Sequence, residues 1–209
     1  MRILIVDDHV VVREGLKRIL ADEFPKVTFG EAENAAEAMP LLWNGKWDVM
    51  LLDISLVGRS GLDVLKQVHK DTPKLPVLVL TMHEEEQFGV RAIKAGAAGY
   101  ITKGTAAKIL SAAIRQVLKG GKFITPTLAQ RLANEVSAPE GKTLHDVLSD
   151  REIEVLRKLA TGHSVKEIAH ELSLSHKTVS TYRMRTMRKM RFRATAELTR
   201  YAIEHHLIQ

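Results

Sequence analysis

Five short stretches, Ile3 to Asp7, Val27 to Glu31, Asp48 to Asp53, Pro76 to Thr81 and Ala98 to Thr102, alternate with segments whose apolar residues recur at helical spacing. Four of the five are near-continuous apolar runs, the pattern of strands covered on both faces. The helical segments are Val10 to Leu20, Ala35 to Trp43, Leu62 to His69, Glu85 to Ala95 and Thr105 to Leu118. Such alternation predicts an α/β doubly wound, five-stranded parallel sheet with right-handed crossovers. In a sheet of this kind the ligand crevice lies at the carboxyl ends of the strands.

Past Leu118 the character changes. Lys119-Gly120-Gly121-Lys122 ends the fifth helix, and Phe123 to Leu148 contains Pro126, Pro139, Gly141 and a short helical pattern around Thr127 to Val136. That composition predicts a partly helical linker. From Ser149 onward no strand pattern remains, only four short helical segments. Ser149 and Ser164 each stand three residues before a glutamate, the spacing of a capping box, while Ser175 and Thr195 are the expected caps of the third and fourth helices. The expected organisation is therefore an α/β domain over 1–120, a linker over 121–147 and an all-α four-helix domain over 148–209.

Apolar residues make up 45% of the 209 and charged residues 27%, which argues for a globular chain rather than a disordered or membrane-embedded one. No apolar run approaches a membrane span, and an acidic pair interrupts the first apolar run where a signal peptide would continue it. A cytoplasmic location without membrane partners is the expectation. The absence of cysteine excludes disulfides, thiol nucleophiles and thiolate metal sites. The net charge of +6 is concentrated: between His176 and Arg193 seven basic residues (Lys177, Arg183, Arg185, Arg188, Lys189, Arg191, Arg193) meet no acid. That is a footprint for a polyanion.

Asp7 and Asp8 follow the first strand and Asp53 closes the third, so adjacency of those strands gathers three carboxylates at one sheet edge. Carboxylates so placed repel and are costly to bury. A hard divalent cation with oxygen ligands resolves this, and Mg²⁺ with retained waters fits better than zinc because no histidine cluster accompanies the acids. His9 adjoins the pair at a helix start and is set aside as a ligand. Thr81 ends the fourth strand and Lys103 follows the fifth. Carboxylate, metal, hydroxyl and ammonium converging on one spot point to phosphoryl transfer, which needs chiefly positioning and neutralisation of phosphate oxygens.

Ile5-Val6-Asp7-Asp8, Leu51-Leu52-Asp53-Ile54, Thr81 and Thr102-Lys103 resemble the signature of the flavodoxin-like receiver domain of two-component response regulators. The resemblance implies that Asp53 is the phosphoacceptor, charged by a histidine kinase or a small phosphodonor. It implies that Asp8, Asp53 and the Ser55 backbone carbonyl bind Mg²⁺ directly, with Asp7 acting through water. It further implies a switch in which Thr81 moves toward the phosphate and Tyr100 turns inward behind it. Val57 departs from the family loop, where proline is usual.

In the C-terminal part, Ser164 to Leu172 forms a short amphipathic segment with Ile168, Ala169 and Leu172 inward. Ser173-Leu174-Ser175 then turns into a basic helix beginning near His176. Two short helices with a tight turn, the second basic, are the pattern of a helix-turn-helix whose recognition helix enters the major groove. Helical arithmetic places Val179, Tyr182, Thr186 and Met190 inward and Lys177, Ser180, Thr181, Met184, Arg185 and Arg188 outward. Ser180, Thr181 and Met184 are the candidate base readers, with Lys177, Thr178, Arg183, Arg185 and Arg188 on the phosphate backbone.

Leu148 to Leu156, Lys166 to Ala169, Leu174 to Val179 and Glu197 to Ala202 resemble the LuxR-type output domain, so that the chain as a whole resembles the NarL/FixJ family of response regulators. Val179-Ser180-Thr181-Tyr182-Arg183 is similar to a run in a subset linked to virulence and stress. The resemblance implies a transcription factor that binds a double-stranded operator, forms a homodimer when active through its last helix, Thr195 to His205, and addresses RNA polymerase. No dedicated turnover of a substrate is expected. Val165, Thr186 and Arg191 depart from the residues usual in that domain, namely asparagine, a larger aliphatic and a helix-ending glycine. Two other readings stand beside this one: a DNA-binding or heterodimerising regulator that does not need phosphorylation, and an aspartate-dependent phosphatase. The phosphatase family resembling this arrangement needs Asp-x-Asp after its first strand, whereas here the acids are adjacent.

Overall fold

The computed structural model describes residues 1–56, 60–137, 144–205 and 207–208, and the chain divides into two compact units, Met1–Ser137 and Ala138–Gln209. The first contains β1 (Arg2–Val6), α1 (Val10–Glu23), β2 (Thr28–Ala32), α2 (Ala35–Asn44), β3 (Val49–Leu52) and α3 (Gly61–Asp71). It continues through β4 (Val77–Thr81), α4 (Glu85–Lys94), β5 (Gly99–Thr102), α5 (Lys103–Leu118) and α6 (Pro126–Ser137). All strand pairs are parallel, in the order β2-β1-β3-β4-β5. The doubly wound sheet expected from the alternation is the sheet observed.

The period of two along each strand explains why the apolar runs are continuous. Leu4, Val6, Met50, Leu52, Val77 and Val79 face one side, where α2, α3 and α4 pack with Ala38, Leu42, Leu65, Val68 and Ala92. Ile3, Ile5, Val49, Leu51, Leu78 and Leu80 face the other, against Leu16 and Leu20 of α1 and Leu110, Ala113 and Ile114 of α5. Each fully buried aliphatic side chain contributes roughly 1.5–3 kcal/mol, so both faces must be covered. β1 and β3 are thereby locked side by side with Val6 opposite Leu52, which aligns the residues that follow them.

The stretch expected as linker contributes α6, which belongs to the first unit. Leu128 is fully buried in the same core as Phe88 and Ala92. The close approach depends on Gly89, where a Cβ would fall 2.9 Å from a Leu128 methyl. Thr125 caps the helix by accepting from the Leu128 N–H at 3.1 Å and donates to Glu85 at 2.5 Å, while Lys94 meets Glu135 at 2.5 Å. Helix α5 begins at Lys103 rather than Thr105. Pro139 and Gly141 of the expected linker, and Val57, lie outside the described residues.

The second unit opens with a 3-10 turn, Leu144–Val147, followed by α7 (Asp150–Ala160), α8 (Val165–Glu171), α9 (His176–Met190) and α10 (Thr195–Glu204). Both capping boxes form, Ser149 with Glu152 and Ser164 with Glu167, and Ser175 accepts from the Thr178 N–H at 3.1 Å. The expected Thr195 cap does not: Ala194 holds that position. Glu197 satisfies the orphan donors instead, accepting from the backbone N–H of Arg193 at 2.5 Å and Ala194 at 3.0 Å. Ile153, Leu156, Ile168, Ala169, Val179, Met190, Leu198 and Ala202 form the core.

Candidate functional site

At the carboxyl edge of the sheet, β1 delivers Asp7 and β3 delivers Asp53, both buried, with Asp8 partly exposed. Lys103 starts α5 and reaches both, its Nζ lying 2.6 Å from Asp53 Oδ2 and 2.7 Å from Asp7 Oδ2. Burial alone would push this ammonium's pKa down. Its attraction to Asp53 and its hydrogen bonds to Asp53 and Asp7 outweigh burial and hold it above the ordinary lysine value. Asp53 Oδ1 accepts from the Ser55 N–H at 2.9 Å, and Asp7 Oδ1 from the His9 N–H at 2.9 Å.

Oxygen donors of Asp7, Asp8 and Asp53 and a ring nitrogen of His9 lie within 4.8 Å of one another. Asp8 Oδ1 is buried with no hydrogen-bond donor aligned on it among the described residues, although His9 Nδ1 lies 2.7 Å away. His9 is the one nitrogen near that oxygen among the described residues, and three acids against one ammonium leave the edge negative. Both features fit a hard cation held by oxygens. His9, set aside on sequence grounds, is brought to the rim, with its side chain 64% exposed.

Thr81 is fully buried at the end of β4, where its hydroxyl accepts from the His83 N–H at 3.4 Å. Tyr100 is turned inward, 2% exposed, and its hydroxyl donates to the His83 carbonyl at 2.9 Å. The pocket also uses two residues the sequence did not single out. Gly61 lets α3 start against Asp53, since a Cβ there would fall 2.2 Å from the Asp53 carbonyl oxygen. Arg13, on the inward stripe of α1 with Leu16 and Leu20, donates to the Asp7 carbonyl at 2.7 Å. A charged residue on an apolar helix stripe was the legible signal for it.

In the second unit, α8, the turn at Ser173 and α9 form the expected helix-turn-helix. Val179, Thr186 and Met190 are buried, while Lys177, Ser180, Arg183, Met184, Arg185 and Arg188 are exposed. Thr181, expected fully outward, is half-buried and donates its hydroxyl to the Lys177 carbonyl at 2.8 Å, as its back-bonding chemistry favours. Thr178 is half-buried beside Ser175, and Arg183 donates to Thr195 at 3.3 Å. Lys189, part of the basic run, is bound to Glu152 at 2.6 Å.

The departures at Thr186 and Arg191 have structural counterparts. Thr186 donates to the Glu152 carbonyl at 3.4 Å, tying α9 to α7 where a larger aliphatic would only pack. Arg191 ends α9 in the left-handed region, φ 58° and ψ 31°, at a cost of roughly 1–2 kcal/mol that glycine avoids.

Residues 3–115 match the family model for the response regulator receiver domain, and residues 146–202 match that for bacterial regulatory proteins of the luxR family. The chain is 37% identical to the response regulator GacA of Pseudomonas aeruginosa over 209 residues, all of this chain and 98% of that one. Its fold is similar to that of the RcsB response regulator of Salmonella typhimurium, with a TM-score of 0.61 at 27% identity over 97% of this chain and 99% of that one. A structure of an RcsB–DNA complex matches with a TM-score of 0.58 at 28% identity over 100% and 99%. Among the described residues no helix is long and apolar enough to cross a membrane.

Proposed function

The chain belongs to the response regulators that join a receiver domain to a LuxR-type regulatory domain, and from that membership we propose that phosphorylation of Asp53 controls DNA binding by α9. The family regulates transcription and does not turn over a substrate. The single observation that carries the assignment of Asp53 is its Oδ2 held 2.6 Å from the buried Lys103 ammonium, in a cluster where oxygens of Asp7, Asp8 and Asp53 lie within 4.8 Å of one another.

An Asp53 carboxylate oxygen attacks the donor's phosphorus, forming an acyl-phosphate bond as the bond to the leaving group breaks. The leaving group is an imidazole for a histidine kinase, or an acid anion for a small phosphodonor. Lys103 then pairs with a phosphoryl oxygen and Thr81 hydrogen-bonds another. Asp8, Asp53 and the Ser55 carbonyl would hold Mg²⁺, with Asp7 through water; the ion supplies neutralisation of phosphate charge. Tyr100 keeps the segment after β4 tied to the sheet through His83.

In the second unit, the exposed Lys177, Arg183, Arg185 and Arg188 address phosphates while Ser180 and Met184 face the base edges, with Thr178 and Thr181 contributing from the half-buried margin. Dimers place two α9 helices on adjacent half-sites, so phosphorylation acts by shifting a two-state equilibrium toward the dimer. The cytoplasm is the compartment that suits this role. The domain limits that accompany it are a receiver over 1–120, a connecting segment over 121–147 and the DNA-binding domain over 148–209, with α6 docked on the receiver.

Incubation with acetyl phosphate and Mg²⁺ should give a base-labile acyl phosphate and tighter binding to DNA selected from random sequence. Asp53→Asn should abolish both. Unchanged labelling of that variant would overturn the acceptor assignment, and labelling without any change in DNA affinity would favour a regulator that works without phosphorylation.

A further inference from the structure

We propose that Arg13 is a positioning residue for cation binding at the acidic edge, acting by fixing the Asp7–Asp8 peptide rather than by its charge. The inference rests on the assignment of that edge as the Mg²⁺ and phosphoacceptor site. Its starting point is an arginine whose side chain is only 7% exposed, a placement that is costly for a cation unless its donors are met. They are met on three sides: Nη1 donates to the Asp7 carbonyl at 2.7 Å, Nη2 to Glu33 at 2.8 Å and Nε to Glu31 at 3.2 Å.

The Asp7 backbone is held from both directions. Its N–H donates to the Ala32 carbonyl at 3.1 Å while its own carbonyl receives Arg13. The Ala32 bond holds the peptide before Asp7 and the Arg13 bond holds the carbonyl of the peptide that joins Asp7 to Asp8, so the backbone from which both carboxylates project is fixed on each side of Asp7. The Asp7 carboxylate goes to Lys103, and that of Asp8 stands at the rim beside His9. A planar fork with several donors can bridge a carbonyl and two carboxylates at once, which an ammonium cannot.

Charge gives no comparable account. Arg13 faces Glu31 and Glu33, and Lys17 is shared between Glu31 and Glu14 at 2.6 Å each. Two cations among three carboxylates cast little positive potential on the pocket. Removing Arg13 leaves Glu31 and Glu33 less neutralised, which by electrostatics alone attracts a cation more strongly. Geometry and charge thus predict opposite signs.

The test is Mg²⁺ titration of the full-length, unphosphorylated protein by calorimetry, comparing wild type with Arg13→Gln, Arg13→Lys and the triple variant Arg13→Gln, Glu31→Gln, Glu33→Gln. Arg13→Gln is expected to weaken Mg²⁺ binding about tenfold, the scale of losing an outer support of a metal ligand. Arg13→Lys should fall between it and wild type, and the triple variant should remain weak. Acetyl phosphate labelling of Asp53 should return toward the wild-type rate when Mg²⁺ saturates the variant, which a general loss of fold would not permit. Unchanged or tighter Mg²⁺ binding by folded Arg13→Gln or Arg13→Lys overturns the inference while leaving the pocket assignment intact. Wild-type protein that binds no Mg²⁺ overturns both.

Discussion

Lys103 and Asp53 meet across the strand that separates them. Lys103 follows β5 and Asp53 follows β3, with β4 between, yet the ammonium lies 2.6 Å from the carboxylate and 2.7 Å from Asp7. A long, flexible side chain at the start of α5 makes this span, and its burial removes water that would screen the attraction. One cation is therefore shared by two buried acids.

Lys103→Met should leave Asp7 and Asp53 without their counter-charge and lower the stability of Mg²⁺-free protein by about 3 kcal/mol. Added Mg²⁺ should recover more stability in the variant than in wild type, because the cation binds only the folded edge. Thermal melts in EDTA and in Mg²⁺ check both. The pH dependence follows from the raised pKa. Its contribution is fully present below the ordinary lysine pKa and is lost as pH rises through the higher folded value, so the deficit of the variant should be constant near neutrality and close only in strong alkali.

Leu128 decides whether α6 is part of the receiver unit or a tether. It is fully buried in the core shared with Phe88 and Ala92, so Leu128→Ala should cost about 2–5 kcal/mol of that unit's stability. Faster hydrogen exchange in α4 should accompany the loss. A neutral result would show α6 detached in solution.

Glu152 joins two elements of the second unit, accepting from the Ser149 N–H at 2.7 Å and from Lys189 at 2.6 Å. Burial would raise its pKa, but the bonds from Lys189 and Ser149 outweigh it and hold it below the ordinary glutamate value. Its stabilisation is present above that ordinary value and lost as pH falls through the folded one. Glu152→Gln should therefore cost about 1.5–3 kcal/mol at neutral pH, a deficit that closes in acid as wild type loses the same contribution. Urea denaturation across that range measures it.

The sheet was legible because burial on both faces writes itself as continuous apolar runs, and Asp7, Asp8, Asp53 and Lys103 because strand ends in a parallel sheet share one edge. Arg13 and Gly61 were harder to find, since each acts through a backbone carbonyl and carries no motif. The helical pattern of α6 is legible, but Pro139 and Gly141 beyond it mark the stretch as linker, and the residue that docks it, Leu128, finds its partner at Gly89, far away in sequence. Thr195 looked like a cap by type, but Glu197 captured the free N–H groups first. At α9 the spacing placed Val179, Thr186 and Met190 on the buried face, Tyr182 is half-buried against the core, and Thr181 sits inward of its expected place, drawn to its own helix by the Lys177 carbonyl.

That shift at Thr181 redistributes the expected DNA contacts. Its hydroxyl is already committed, whereas Ser180 is exposed and Met184 is 63% exposed on the same helix. Lys189 is similarly committed to Glu152, whereas Arg185 and Arg188 are exposed on the same helix and carry no ion pair among the described residues. Arg185→Ala and Arg188→Ala should each weaken binding to all sequences and reduce the magnitude of the salt slope by about 1, as the loss of one phosphate contact requires. Lys189→Ala should leave that slope nearly unchanged and lower stability instead. Ser180→Ala and Met184→Ala should alter sequence preference with little effect on the slope, and Thr181→Ala should have the smaller effect on preference. Binding measured at several salt concentrations, on selected and on random DNA, separates these outcomes; equal losses on both DNAs from the Arg185, Arg188, Ser180, Met184 and Thr181 variants would refute the division between phosphate and base contacts.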